Sequence, residues 1–484
     1  MNIEKEKNKS VYFILIMQIF STFAYGVLYC SLVLFATKAL NLSDMQATSI
    51  VVSFIAFIYA MRLVGGFIAG RFFSNRFAFL TGIILQSISS VFLIYQKLYI
   101  GLALFLPGAG LVVICLNSFI TQLFSEHEIK KRETAFLWNY SAMNFGYIFA
   151  YVISGIFESL QNYKLLFFIS AISNIFPLIM ILINWERFRD KKNHFISVLK
   201  SEKTSIFLGY TIIAALVISL FWLVRLSFIS NALIIILSLV MGGIIIYHAL
   251  RQKTKIAREK FWAFFILTLM SVVFWTLYIL MPNALTLFIE HNVDRTFFNF
   301  SIPPQWVLSI NTFLIIIGGP LLVTLFNYLR RKGFLISLPI QFTTALLLIT
   351  LAFVILTLGI KFVNKEGFVS IIWIVISYVL ITFGELFISP ISYAMVGQLI
   401  PHKEQNIMMG ITMLVSATAA VISDFFTKMA IKNVSTDPIV TNPYFEKMFF
   451  ILSIGSLITT IILLILVPFL HKLIKAPKEE SYHT

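Results

Sequence analysis

The sequence predicts an all-α polytopic membrane protein of about 14 transmembrane helices. Three observations carry that prediction. Of 484 residues, 59% are hydrophobic and only 12% are charged, a balance that no chain of this length keeps dispersed in water around one core. Apolar stretches longer than about 18 residues recur from end to end, the length a helix needs to cross roughly 30 Å of hydrocarbon. The formal charge of +16 is carried by Lys and Arg in short clusters between apolar runs, where positive-inside bias places them. The charge therefore reports topology, and nucleic acid is not an expected partner.

Taken in order, the apolar segments fall near residues 11–35, 46–70, 78–96, 99–124, 136–157, 164–184, 205–226, 231–250, 261–288, 306–329, 335–360, 369–396, 407–430 and 447–470. Basic residues cluster at 5–9, at Arg71 with Arg76, at 130–132, 187–192, 251–260 and 330–332, and at Lys403. These alternate with thinner loops at 95–97, 158–163 and 290–305. Counting Lys and Arg puts both termini in the cytoplasm, as an even number of spans also requires. The opening MNIEKEKNKS precedes an apolar run too long for a signal-peptide core and reads as a retained cytoplasmic tail. Cys30 and Cys115 lie inside apolar runs without metal-ligand spacing, so no disulfide framework is expected.

The linkers at 186–204 and 251–260 flank a helix pair at 205–250 whose one interior charge is Arg225, which reads as peripheral packing against lipid. Without that pair, six spans remain on each side. The expected organisation is an N-terminal six-helix bundle at 1–190, a linker with two extra helices at 191–260, a C-terminal bundle at 261–470 and a cytoplasmic tail at 471–484. Six plus six with a cytoplasmic linker is the layout of the major facilitator fold, two bundles rocking about a midplane site.

Several motifs narrow the reading. GGFIAGRFFSNR at 65–76 resembles the G-x-x-x-D-R signature of major facilitators with the acid replaced by Gly70, and it also reads as a close-packed turn anchored by Arg71 and Arg76. GELFISPISYAMVGQLIP and the MMG that follows, at 384–410, resemble the tenth and eleventh helices of proton-dependent oligopeptide transporters, which carry G-E-L-x-x-S-P and a later M-M-G. Residues 274–317 resemble that family's seventh helix, outer loop and eighth helix through Phe274, Trp275, Leu285, Leu287, Phe288, Asp294, Arg295, Ile302, Pro303, Trp306, Ser309 and Asn311. Residues 130–155 resemble its fifth helix, with Asn144 and Gly146 in the N-x-G. The extra helix pair matches the bacterial members, and the resemblance covers nearly the whole chain.

An ionised carboxylate at membrane depth is expensive, so Glu385 is expected to face a wet cavity or a cation, or else to hold two helices together. The resemblance implies the first: Glu385 receives a peptide ammonium group, with Asn311 hydrogen-bonding the same amine. It also implies that Asn144 and Tyr25 hydrogen-bond the substrate, that Tyr25 and Trp275 are pocket aromatics, and that Asn117 matches the fourth-helix asparagine. The implied activity is di- and tripeptide symport with protons by alternating access.

The family's coupling charges are absent. Its first-helix E-x-x-E-R falls on Gln18, Ser21 and Thr22, although Phe23 and Tyr25 remain. Its fourth-helix lysine falls on Cys115 and its seventh-helix acid on Ile279. None of these titrates usefully near neutral pH, so coupling must use the remaining membrane-depth charges, Arg62, Glu385 and Asp424. Arg62 is a candidate partner for a substrate carboxylate or a snorkelling side chain. Asp424 is a polar contact or a packing acceptor. The 7 His show no metal spacing, and neither a Walker loop nor a nucleophile elbow occurs. Expected partners are therefore a peptide-like or amino-acid-like small molecule, protons and the bilayer of a bacterial inner membrane; no cofactor and no enzyme activity are expected. Another solute on the same fold, passage without proton coupling, and a non-transporting receptor are the alternatives.

Overall fold

The computed structural model describes residues 2–125, 128–190, 202–298, 300–333, 337–401, 403–432 and 435–474. Parts of the expected linker (191–201) and of the expected tail (475–484) lie outside the described residues. Among the described residues, 14 helices are long and apolar enough to cross a membrane, and the strands are two-residue pairs. The all-α expectation and the span count hold.

The chain divides into two compact units, Met1–Asn231 with Arg295–Phe313, and Ala232–Asp294 with Leu314–Thr484. The first unit contains α1 (Asn2–Leu34), which continues as a π-helical turn (Phe35–Ala39), then α2 (Asp44–Ile68), α3 (Asn75–Ile94), α4 (Leu98–Leu123), α5 (Ile129–Ser159), α6 (Tyr163–Ile183) and α7 (Glu202–Arg225). Helix α2 starts where a capping box forms: Ser43 Oγ accepts from the Gln46 backbone N–H and Gln46 Oε1 from the Ser43 N–H, each at 3.3 Å.

Glycines set the helix spacing. A Cβ on Gly65 of α2 would meet the Gly110 carbonyl carbon of α4 at 2.7 Å, while Gly82 of α3 and Gly108 of α4 would each meet the other's carbonyl oxygen at 2.8 Å. Backbone-to-backbone approach of this kind is how helices gain packing energy where no hydrophobic effect separates side chain from lipid. Gly70, at the signature's acidic position, has φ +82, a left-handed conformation that glycine adopts without strain. The α3 N-terminus is capped from elsewhere: buried Asp190 accepts from the Asn75 backbone N–H and from Asn75 Nδ2, both at 2.8 Å, and its charge favours the positive end of the helix dipole. Arg76 donates to the Trp185 carbonyl at 3.0 Å with its guanidinium 4.6 Å over the Trp185 ring, which ties the start of α3 to the segment after α6.

Beside these caps, Lys7 pairs with Glu128 at 2.6 Å, and Glu128 also accepts from the Ser125 backbone N–H at 3.0 Å. The Lys7 hydrogen bond, then the Ser125 N–H, hold the Glu128 carboxyl down at about 2 against an ordinary 4.5. A depressed acid stabilises the fold above its unfolded value and loses that contribution as pH falls towards its folded one. Lys7→Met is therefore expected to flatten the decline in thermal stability between pH 4.5 and about 2, which differential scanning fluorimetry checks.

The second unit contains most of α8 (Ser227–Arg251), α9 (Lys255–Ile279), α10 (Ala284–Asn292), most of α11 (Pro304–Arg331), α12 (Leu338–Lys361), α13 (Ile371–Leu399), α14 (Gln405–Ala430) and α15 (Pro438–Ile474). Helices α9 and α10 form one span interrupted at 280–283, where Pro282 removes a backbone donor. The inserted helices α7 and α8 are peripheral as expected, each 17% buried across its apolar window against 72% for α4. Helix α7 packs on α4 and α2 of the first unit. In the second unit, Ser238 of α8 shares a 2.6 Å hydroxyl hydrogen bond with Thr418 of α14. At one end of this unit Asn292 Nδ2 donates to Thr441 Oγ1 at 2.7 Å and to Asn442 Oδ1 at 2.9 Å, while Val293–Asp294 pairs in parallel with Val369–Ser370.

Candidate functional site

In the first unit, the structure gathers tyrosines from α1 and α5. The Tyr25 ring lies 5.7 Å from Tyr29 and 5.9 Å from Tyr147, and Tyr147 lies 5.7 Å from Tyr151. Phe54 of α2 and Phe105 of α4 stack on Tyr25 from behind, at 6.2 and 6.4 Å. The Tyr147 hydroxyl hydrogen-bonds Tyr25, and Arg62 of α2 lies close enough for its charge to act on Tyr25. The Arg62 guanidinium sits 4.8 Å over the Tyr59 ring one turn back. Of the expected site residues in this unit, the fold thus brings Tyr25 and Arg62 together, with the guanidinium stacked on an aromatic ring.

The positions that have lost the family's charges are packed shut. Gln18 Nε2 donates to Thr22 Oγ1 at 2.7 Å within α1, and both side chains are buried. A Cβ on Gly146 of α5 would meet the Ile19 carbonyl oxygen at 2.6 Å and Thr22 Cβ at 2.8 Å, so α1 and α5 touch at the position of the family's arginine. Asn144 is buried, and its Nδ2 donates to the Tyr140 carbonyl at 2.9 Å. Asn117 is exposed on α4, and Cys115 is buried. Asn311 is buried on the part of α11 that belongs to the first unit.

In the second unit, Glu385 of α13 is 9% exposed. A Cβ on the preceding Gly384 would meet the Phe274 ring at 3.0 Å and the Ala345 carbonyl oxygen at 3.1 Å, so α13 lies tight against α9 and α12 there. Phe274 leads to Trp275, whose ring lies 5.1 Å from Tyr278. Pro390, inside α13, has no N–H to give the Leu386 carbonyl, one residue past Glu385. The G-E-L-x-x-S-P stretch is thereby a glycine contact, an acid and a loosened turn in succession.

Two pairings were not named in the sequence reading. Asp424, buried on α14, is paired with Lys428 at 2.6 Å. The i,i+4 spacing with the acid first is legible in the sequence, and a paired carboxylate fits the packing role better than coupling. Glu158, assigned to a thin loop, completes α5 and is 3% exposed, with Lys38 Nζ at 2.7 Å. No local pattern links residues so far apart in the chain.

The POT family model matches residues 73–437. This chain belongs to the POT family. It is similar along its length to dipeptide and tripeptide permease A of Cronobacter turicensis, 26% identical over 486 residues that cover 98% of this chain and 95% of that protein. The Escherichia coli K12 permease A is 25% identical, with 96% of this chain and 93% of that protein covered. Among solved structures, a peptide transporter POT in complex with sulfate superposes with a TM-score of 0.82 at 21% identity, covering 97% of this chain and 96% of that one. A POT family transporter in complex with 5-aminolevulinic acid gives 0.80 at 22%, covering 96% of each. The POT fold is therefore shared throughout, inserted helices included, and this member is a multi-pass membrane protein.

Proposed function

We propose that this POT member is a secondary carrier of di- and tripeptides, working by alternating access in a bacterial cytoplasmic membrane with both termini cytoplasmic. The N-terminal six helices at 1–190 and the C-terminal six at 261–470 are the moving bundles. The observation that carries the reading is Glu385, buried within an intact G-E-L-x-x-S-P segment. Charge complementarity supports it further. The second unit offers a buried acid, which suits an ammonium group, and the first offers Arg62 among tyrosines, which suits a carboxylate. Recognition of the carboxylate has moved from the family's first and fourth helices to α2, because Gln18, Ser21, Thr22 and Cys115 carry no charge. Tyr25 and Trp275 supply aromatic surfaces and Asn144 a polar one. Glu385 is also the carboxylate through which proton coupling runs in this reading, since the first-, fourth- and seventh-helix coupling groups of the family are absent.

Blocked peptides test the reading. A dipeptide is expected to raise the thermal stability of the purified protein by mass action. The N-acetylated and C-amidated forms, each lacking one charge, are expected to raise it much less. Equal stabilisation by all three forms would contradict recognition of both ends.

A further inference from the structure

The inserted helix α7 is seated at one end and open at the other. Near its start a Cβ on Gly209 would meet the Phe73 ring at 2.7 Å. There the Tyr210 ring lies 4.9 Å from that of Phe73, and the Tyr210 and Thr81 hydroxyls are 3.3 Å apart. Near its end, a crevice of about 310 Å³ lies between α7, the connection that precedes α2 and the start of α4. All of these residues belong to the first unit. We infer that the crevice takes the acyl chains of an anionic phospholipid whose phosphate is held by Lys97 and Arg225. The inference needs only the membrane-spanning fold, whatever solute is carried.

The wall is built for hydrocarbon. Leu40, Leu42, Leu98, Ile100 and Phe221 make it apolar, with Gln96 and Lys97 at its polar edge. Water needs several polar partners to stay in such a place and finds few here. Lipid is the available solvent, because α7 is only 17% buried across its apolar window.

The cations are placed for a headgroup. Lys97 immediately precedes α4, and Arg225 is the last residue of α7, one turn past Phe221. Both are exposed, and the Arg225 guanidinium lies 5.9 Å from the rings of Tyr99 and Trp222. Ends of apolar spans lie at headgroup depth, where tyrosine and tryptophan also gather. No carboxylate lines the crevice, and among the described residues neither Lys97 nor Arg225 makes an ion pair. Lys38 nearby is different, being matched by Glu158 at 2.7 Å. A soluble anion would use the two charges and leave the wall bare. A neutral lipid would cover the wall and leave the charges unmet. A phosphodiester carrying acyl chains satisfies both, with the planar guanidinium suited to two phosphate oxygens and the ammonium to a point contact. The lipid then wedges the open end of α7 against α4, so the seating of the inserted helix depends on the bilayer.

Native mass spectrometry of the full-length protein, delipidated in detergent and titrated with dioleoyl phosphatidylglycerol or dioleoyl phosphatidylcholine, tests the site. The parent is expected to retain one phosphatidylglycerol much more tightly than any phosphatidylcholine. Lys97→Gln combined with Arg225→Gln is expected to weaken that binding about thirtyfold, about fivefold for each basic residue, and to leave phosphatidylcholine unaffected. The single substitutions, each about fivefold, keep the test where the double variant fails to fold. Lys253→Gln combined with Lys332→Gln, which removes two exposed cations of the second unit, should leave the tight lipid in place. Equal binding of the two lipids by the parent, unchanged phosphatidylglycerol binding in the folded Lys97 and Arg225 variants, or equal weakening by the second-unit pair overturns the site. Displacement of the lipid by excess inorganic phosphate would also overturn it, since the cations would then hold a free anion to which acyl chains add nothing.

Discussion

Glu385→Gln is expected to weaken dipeptide binding at least about thirtyfold, because losing one partner of a buried charge-assisted contact costs roughly 2–5 kcal/mol. The variant keeps the size and hydrogen-bonding capacity of the side chain, so the packing of Gly384 against Phe274 and Ala345 is preserved and its melting temperature without ligand should stay close to that of the parent. The loss should be selective. N-acetylated dipeptide, which has no ammonium group, should bind parent and variant alike. Titration calorimetry with the free and acetylated peptides separates the two. Equal affinity of parent and variant for the free peptide would mean that Glu385 only joins helices.

Arg62→Met carries the second-largest expected effect. The side chain is half-buried and stacked on Tyr59, so its contact with a carboxylate is partly solvated and its loss is expected to cost about tenfold in affinity, near 1.4 kcal/mol. A dipeptide amide should be indifferent to the change. Arg62→Lys should restore little, because an ammonium group lacks the planar fork that grips a carboxylate with two hydrogen bonds. A snorkelling arginine predicts otherwise: Arg62→Lys would behave as the parent, and free and amidated peptides would be affected equally.

How much was legible in advance depended on the range of the interaction. Fourteen spans could be read because each apolar run is a local property, long enough in itself to require a helix. Glu385 stood out for the same reason, as a lone acid inside such a run. The role of Gly70 depends on a left-handed φ, which no sequence pattern states. The interruption at 280–283 is marked by Pro282, yet α10 resumes directly beyond it and hydropathy alone reads one span. Glu158 looked like a loop residue because its partners Lys38 and Gln305 are supplied by tertiary packing. The division of α11 was hidden in the same way: its sequence is that of one continuous helix, and only its neighbours differ along its length. Asp424 with Lys428 is the opposite case, a helical pair that spacing alone displays.

The family's missing charges also gain a physical account. Gln18 and Thr22 satisfy each other inside α1, and Gly146 brings α5 into contact with Thr22. An arginine at Thr22 would have to displace that helix crossing. The uncharged face of α1 packs directly on α5 there, and Arg62 is a membrane-depth cation beside the tyrosines.

Uptake of a labelled dipeptide into liposomes, with and without an inward proton gradient, tests the central claim most directly. The expected result is accumulation above the external concentration only under the gradient, abolished by Glu385→Gln. Absence of specific dipeptide flux from folded protein, or accumulation that Glu385→Gln leaves intact, would contradict it.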